Sequence, residues 1–208
     1  MSDLNNCESE VLKSDAPAVP LAVALLHYPV LNKNGEEIAS AVTNLDLHDI
    51  ARASKTYGLS RFYVATPLAD QKTLVNEIVS HWQSGYGATY NPDRKDALDL
   101  IQVVSYCEEV LLDMEAFFCK KPVMVVTSAS GNKVCPNVPM IDCEGLSMEL
   151  LKGTPHLLVL GTAWGLSPSL MRLADYVLEP LKGISGYNHL SVRTAAAIMF
   201  DRILSADR

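Results

Sequence analysis

Pro155-His156-Leu-Leu-Val-Leu-Gly161-Thr-Ala-Trp-Gly165-Leu-Ser-Pro-Ser-Leu170 is followed, after a short connection, by Asp175-Tyr-Val-Leu-Glu-Pro-Leu-Lys-Gly183-Ile-Ser-Gly186-Tyr-Asn-His-Leu-Ser191-Val-Arg-Thr-Ala-Ala-Ala-Ile-Met-Phe-Asp-Arg202. Two short apolar runs, 157–160 and 176–178, have the length and composition of buried strands. Each run leads into a glycine-bearing loop, and each loop leads into a predicted helix. The first loop, 161–165, ends at Ser167-Pro168, a cap residue followed by proline at the first helical position. The second, 181–190, ends at Ser191, ahead of an apolar face made by Val192, Ala195, Ala196, Met199 and Ile203. Glycine loops at the ends of parallel strands are where α/β proteins hold small molecules.

The rest of the chain fits that class. The run 21–31 reads as a central parallel strand, and Asn32-Lys-Asn-Gly35 as a turn. Asn44 or Asp46 is placed to cap a helix over 47–57, closed by Gly58, with Ile50, Ala53 and Tyr57 inward. Residues 61–67 form a second strand stopped by Pro67, and 70–82 an amphipathic helix with Leu74, Ile78 and Trp82 in line. Residues 84–94 carry glycines, a proline and two tyrosines, and read either as a mobile substrate loop or as a plain linker. Residues 98–104 are a strand or the start of the next helix; 107–118 are helical, 122–127 a strand, 128–131 a turn, and 145–152 a short helix. The alternation of strands and helices predicts an α/β fold with a parallel, Rossmann-like sheet.

Bulk properties narrow the function. The chain has 208 residues, 49% hydrophobic and 20% charged, which suits one domain over 19–208. Residues 1–18 are polar and acidic, unlike a secretory signal, and read as a disordered lead-in. No apolar run approaches the roughly eighteen residues that span a bilayer, so a cytoplasmic protein without a membrane partner is expected. Five cysteines without a CxxC pattern, and without a matching histidine set, predict reduced thiols and no metal site. A net charge of −7 opposes broad phosphate binding. Any nucleic-acid contact is then a local patch, with Arg52, Lys55 and Arg61, Arg94 with Lys95, or Lys120 with Lys121 as sources of positive charge. There is no G-x-G-x-x-G and no phosphate-loop lysine, which disfavours NAD and ATP. No G-x-S-x-G elbow supports a serine nucleophile.

Leu-Gly161-Thr-x-x-Gly165-Leu, then Leu-x-Pro180-Leu-x-Gly183, then Asn188-x-Leu-Ser191-Val-Arg-x-Ala resembles the knot-forming end of the SPOUT (α/β-knot) RNA methyltransferases. The likeness is dense over 157–200, looser over 21–130, and nearest to a bacterial subgroup of predicted RNA methyltransferases carrying Tyr-Asn-His-Leu-Ser-Val-Arg. It implies a C-terminal trefoil knot over about 155–200, which general rules on chain threading would not predict. It also implies S-adenosylmethionine (SAM) as cofactor, RNA (tRNA or rRNA) rather than DNA as substrate, and a homodimer formed through the last helix. By the same resemblance, SAM would be held by Leu160, Gly161, Thr162 and Gly165 in the first loop. Leu181, Ile184, Tyr187, Asn188 and Leu190 would hold it in the second, with Thr127 and Ser128 in a third segment. Backbone groups opened by glycine would read the adenine edge, with leucines sandwiching the ring.

On the acceptor side, Asp46-x-His48-Asp-Ile-Ala-Arg52 occupies the place of the family's first motif. Arg52 matches its arginine, while Asp46 and His48 stand where the family has Asn and Gly. Arg52, Asn188 and His189 are the candidate catalytic residues; histidine is the side-chain type that serves as a base near neutral pH, and His189 is equally readable as a packed loop residue. Ala163-Trp164 replaces a glutamate found in many 2′-O-methylating members, which leaves base against ribose methylation open. Two alternatives stand beside the enzyme: a knotted protein that binds an adenosyl ligand without catalysis, and an α/β enzyme for another adenosine-containing ligand.

Overall fold

The middle of the sheet is β1 (Val19–Leu26), whose residues 21–26 are all fully buried because both of its faces are covered. The computed structural model describes residues 19–84 and 86–205, so the expected lead-in over 1–18 lies outside the described residues. After β1 come a hairpin of β2 (Val30–Leu31) and β3 (Glu37–Ile38), α1 (Asn44–Thr56), β4 (Leu59–Ala65), α2 (Ala69–Gln83), α3 (Tyr86–Tyr90), α4 (Pro92–Leu98), β5 (Ile101–Val104) and α5 (Cys107–Phe118). The remainder is β6 (Val123–Thr127), a 3-10 turn (Gly131–Val134), β7 (Met140–Ile141), α6 (Cys143–Leu151), β8 (His156–Gly161), α7 (Pro168–Met171), β9 (Tyr176–Leu178) and α8 (Val192–Leu204).

Seven strands form one parallel sheet in the order β5-β4-β1-β8-β6-β9-β7. On one face Leu21, Val23 and Leu25 pack with Leu47 and Ile50 of α1, Leu146 of α6 and Phe200 of α8. On the other, Ala22, Ala24 and Leu26 meet Val110 and Met114 of α5 and Leu170 and Met171 of α7. Two covered faces explain why the strands read as unbroken apolar runs. The strand order reverses beside β1, the kind of position where open α/β sheets bind ligands.

Several expectations need correction. The run 21–31 is two elements: β1 ends before His27, and after the cis Tyr28-Pro29 bond Val30 and Leu31 turn into the hairpin. Its turn is the expected one, with Gly35 at φ 80° and the Asn32 side chain accepting from the Asn34 and Glu36 backbone N–H groups. α1 starts at Asn44 behind Thr43, so neither Asn44 nor Asp46 is its cap. α2 buries Val75 and Val79, one position round from the predicted stripe. The expected loop over 84–94 is largely helical. Asn91 accepts a hydrogen bond from the Arg94 N–H at 3.0 Å and Pro92 follows it, a helix start present in the sequence as Asn-Pro. Cys107 and Cys135 are free and buried, whereas Cys119 is disulfide-bonded, against the expectation of reduced thiols.

α8 buries part of its apolar face within the protomer, while Val192 and Ala195 of that face stay half-buried. Ala196, Met199, Phe200 and Ile203 are covered within the protomer, where α8 packs against α1 and α6.

Candidate functional site

Because β6 lies between β8 and β9, the segments leaving these three strands share one edge of the sheet. β8 stays in register with β1 as far as Gly161, whereas its register with β6 runs only to Val159. β6 in turn stays with β9 to Thr127 and Leu178. The sheet therefore splits at Leu160 and Gly161, and Thr127 spans the start of the split by donating from its hydroxyl to the Val159 carbonyl at 3.0 Å.

The first loop is held from outside by the segment after β1. Leu31 N–H donates to the Gly165 carbonyl at 2.9 Å, Trp164 N–H to the Leu31 carbonyl at 3.0 Å, and Ser167 N–H to the Pro29 carbonyl at 3.1 Å. Gly161 is required by close approach, since a Cβ there would lie 2.8 Å from the Leu166 nitrogen and 2.9 Å from its Cγ. Gly165 has φ 101° and Ala163 the left-handed φ of 51°. The Thr162 hydroxyl is committed inward: it donates to the Leu26 carbonyl at 3.1 Å and meets the Ser40 hydroxyl, which in turn contacts His27 Nδ1 at 3.0 Å. Any ligand contact from Thr162 therefore falls to its backbone. Burial lowers the His27 imidazole to about 4, keeping it neutral, and its Nε2 has no partner.

The second loop begins in the core and then leaves it. Leu181 is buried in the cluster that contains Leu160, while residues 182–191 are all exposed. Leu160 and Leu181 thus belong to one core cluster, whereas Ile184 is fully exposed and Tyr187 and Leu190 are exposed. Leu166 packs on the opposite face of the sheet. Two contacts join this loop to the third segment: Asn188 Nδ2 donates to the Ala129 carbonyl at 3.2 Å, and Pro180 lies against Gly131. Ser128 is half-buried at the β6 end. His189 is exposed beside Tyr187, their rings edge to face at 6.3 Å. Ser191 caps α8, accepting from Thr194 N–H at 3.3 Å.

α1 is fastened to the start of α8 beside this loop. Arg193 Nη1 meets Asp46 Oδ1 at 3.0 Å and its Nε meets Asp49 Oδ2 at 3.4 Å. Asp49 also lies 4.0 Å from Arg52, whose side chain is 60% exposed and so free to meet a substrate. His48 is half-buried with its Nδ1 unpartnered and its ring edge-on to Trp82. Burial, then the charge of Arg94, lower its imidazole. Sequence reasoning missed the clamp at 29–31, the His27–Ser40–Thr162 chain and the Asp46–Arg193 pair. A histidine closing a wholly apolar strand was the available signal for the second. The third joins residues 147 apart and left none.

Among the described residues no group of three His, Cys, Asp or Glu side chains is placed to hold a metal. The backbone, glycine and leucine groups where β8 parts from β6 suit a neutral, adenosine-like ligand.

The model of a family described as SAM-dependent RNA methyltransferase matches residues 20–205. A tRNA (guanine-N(1)-)-methyltransferase of Oleidesulfovibrio alaskensis is 43% identical over 191 residues, 91% of this chain and 43% of that protein. The chain thus spans less than half the length of that relative, and the same holds for a second so named, from Nitratidesulfovibrio vulgaris. An uncharacterized protein of Aquifex aeolicus is 36% identical over 89% of both chains. Among solved structures, a putative methylase family protein from Neisseria gonorrhoeae superposes with a TM-score of 0.61 at 19% identity, covering 94% of this chain and 87% of its own. The SpoU methyltransferase AviRb from Streptomyces viridochromogenes, in complex with AdoMet, gives 0.56 at 18%, covering 91% and 58%. The family match over residues 20–205, together with these relatives, shows that the chain belongs to the SAM-dependent RNA methyltransferases.

Proposed function

We propose that this chain methylates RNA from SAM, with tRNA as the favoured substrate class, and that residues 19–208 make up a single catalytic domain. The two longer relatives, each named a tRNA (guanine-N(1)-)-methyltransferase, support tRNA. The observation that carries the reading is the split of β8 from β6 at Leu160 and Gly161, with the second loop and the 128–131 segment beside it. The close packing of Gly161 on Leu166 keeps the turn tight at the point where β8 leaves β6.

In this reading Leu160, Gly161, Thr162 and Gly165 hold the adenosyl group through main-chain N–H and C=O groups, and Leu181 covers the ring. Thr127 and Ser128 contribute from the third segment. Asn188, tethered to Ala129, fixes the course of the second loop, along which Ile184, Tyr187 and Leu190 close over the ligand. When bound, SAM supplies a methyl group on a positively charged sulfur, which an oriented nucleophile can take in line. Arg52 projects from α1 as the cation that holds the RNA phosphate or the reacting nucleotide. His189 is the loop's proton acceptor. Arg193 keeps α1 and the loop in a fixed relation, so the acceptor and donor sides meet with little reorganisation.

A homodimer and a trefoil knot belong to the same proposal. Support for the dimer comes from Ile184, Tyr187 and Leu190, apolar surface that one protomer leaves exposed beside α8. Among the described residues no helix is long and apolar enough to cross a membrane, and a cytoplasmic site of action is proposed. Incubating the protein with methyl-labelled SAM and unmodified tRNA and rRNA tests the whole reading. Label should enter tRNA; SAM binding without label in any RNA would favour the non-catalytic alternative, and no SAM binding would remove both.

A further inference from the structure

Neither the cofactor loops nor Arg52 makes use of α3, yet α3 carries an unpartnered aromatic pair. Tyr86 and Tyr90 lie one turn apart with ring centroids 6.1 Å apart and planes 25° from parallel. They are 78% and 75% exposed, so they contribute little to any core. Their support is firm. Gly87, between them, lies so close to the Trp82 indole that a Cβ would come within 2.7 Å of a ring carbon. The same indole carries the Arg94 guanidinium 4.6 Å from its centroid and the His48 ring at 5.6 Å. Arg94 Nε is buried without a partner. α4, which holds Arg94, packs along α1, the helix of Arg52. A chain of contacts thus runs from α3 through Trp82 to His48 of α1, the helix of the proposed acceptor side.

We infer that Tyr86 and Tyr90 are a stacking platform for unpaired bases of the RNA substrate, next to the nucleotide that is methylated. This rests on RNA being the substrate. The chemistry of the surface points to base faces rather than duplex backbone. The chain carries a net charge of −7, and Asp93 and Asp96 offset part of the positive charge near Arg94, so general phosphate attraction is weak here. Stacking on a neutral ring is insensitive to that deficit and tolerates any base. Arg94 and Arg52 supply enough local positive charge to guide the connecting phosphates, and both lie near enough to His48 to disfavour its charged form, after the larger effect of burial.

The test uses the full chain, a single-stranded oligoribonucleotide pool of mixed sequence, and the same pool annealed into duplex. In fluorescence anisotropy, Tyr86→Ala with Tyr90→Ala should weaken single-strand binding about 10- to 100-fold, and Tyr86→Phe with Tyr90→Phe should keep it within about 3-fold of the parent. Duplex should compete poorly. Thermal unfolding and SAM affinity should match the parent, because both side chains are exposed and far from the glycine loops in sequence. Equal binding by the alanine variant, equal competition by duplex, or no binding by the parent overturns the platform. Conversion of a dimer to a monomer by the alanine variant in sedimentation, with RNA binding unchanged, would assign the tyrosines to a subunit contact instead. Label transfer to RNA by the parent is scored separately, so loss of the methyltransferase reading and loss of the platform are distinguishable.

Discussion

Replacing Gly161 with alanine tests the site where it is most constrained. The added Cβ would stand 2.8 Å from the Leu166 nitrogen, 2.9 Å from its Cγ and 3.1 Å from the Gly165 carbonyl carbon. Ordinary contact needs about 3.5 Å, so the loop must retreat by about 0.7 Å. Two of the three atoms are backbone, and the loop is tied by three hydrogen bonds of 2.9, 3.0 and 3.1 Å to residues 29–31, so the retreat strains that clamp. Overpacking of this kind costs about 1–3 kcal/mol, and loosening one hydrogen bond about 1 kcal/mol more. For a chain of this size the melting temperature should fall by roughly 5–15 °C. SAM affinity, read by calorimetry, should drop about 5- to 30-fold as one or two main-chain contacts are displaced. Gly183→Ala and Gly186→Ala are the controls, because a Cβ at either meets nothing within 4 Å; their melting temperatures should stay near that of the parent. A Gly161→Ala protein with parental melting temperature and SAM affinity would refute both the strained loop and its place in the cofactor site.

Arg52→Ala should reduce methyl transfer by at least about 100-fold while SAM affinity stays within about 2-fold, in keeping with a cation acting on the acceptor; loss of SAM binding would place Arg52 elsewhere. Arg193→Ala leaves Asp46, with only 10% of its side chain exposed, short of its closest cation. Because Arg193 itself is one-third exposed, the loss should be about 1–3 kcal/mol in urea unfolding, less than for a fully buried pair. A double-mutant cycle with Asp46→Asn should give a coupling of about 1 kcal/mol, and a value near zero would show that the pair holds nothing together. His27 has its imidazole lowered to about 4 by burial, so between the unfolded value of 6.5 and that figure only the unfolded chain takes up its proton. Stability contributed by this group is therefore intact above pH 6.5 and falls with pH towards 4, by up to about 1.4 kcal/mol per pH unit. His27→Gln should remove that part of the slope in denaturant titrations at pH 4.5–6.5; an unchanged slope would mean that other groups carry it.

Local signals made much of the fold legible. β8, β9, α5 and α8 stand almost where their apolar runs, glycines and caps put them, because each is specified by neighbours in sequence. The hairpin β2–β3 escaped because Val30 and Leu31 extend an apolar run that β1 had already left. α3 and α4 escaped because glycine and tyrosine were weighed above the Asn91-Pro92 cap. At the site, the glycine loops were readable from composition, but their meeting was not. It depends on β6 sitting between β8 and β9, and strand pairing is a nonlocal choice that single-chain periodicity does not encode. The resemblance supplied Arg52 and Asn188 and includes Arg193, yet the Asp46–Arg193 fastening also depends on Asp46, where this chain departs from the family pattern.

The strand order has a consequence during synthesis. β8 goes between β1 and β6, both of which precede it in the chain, and β9 supplies β6's other neighbour. A growing polypeptide that has reached residue 150 has β1 with one flank bare and β6 with neither partner. Such open amides invite association with other unfinished chains. The centre of the sheet is thus among its last parts to be laid in place, and the cofactor's berth exists only once that strand and its successor are seated.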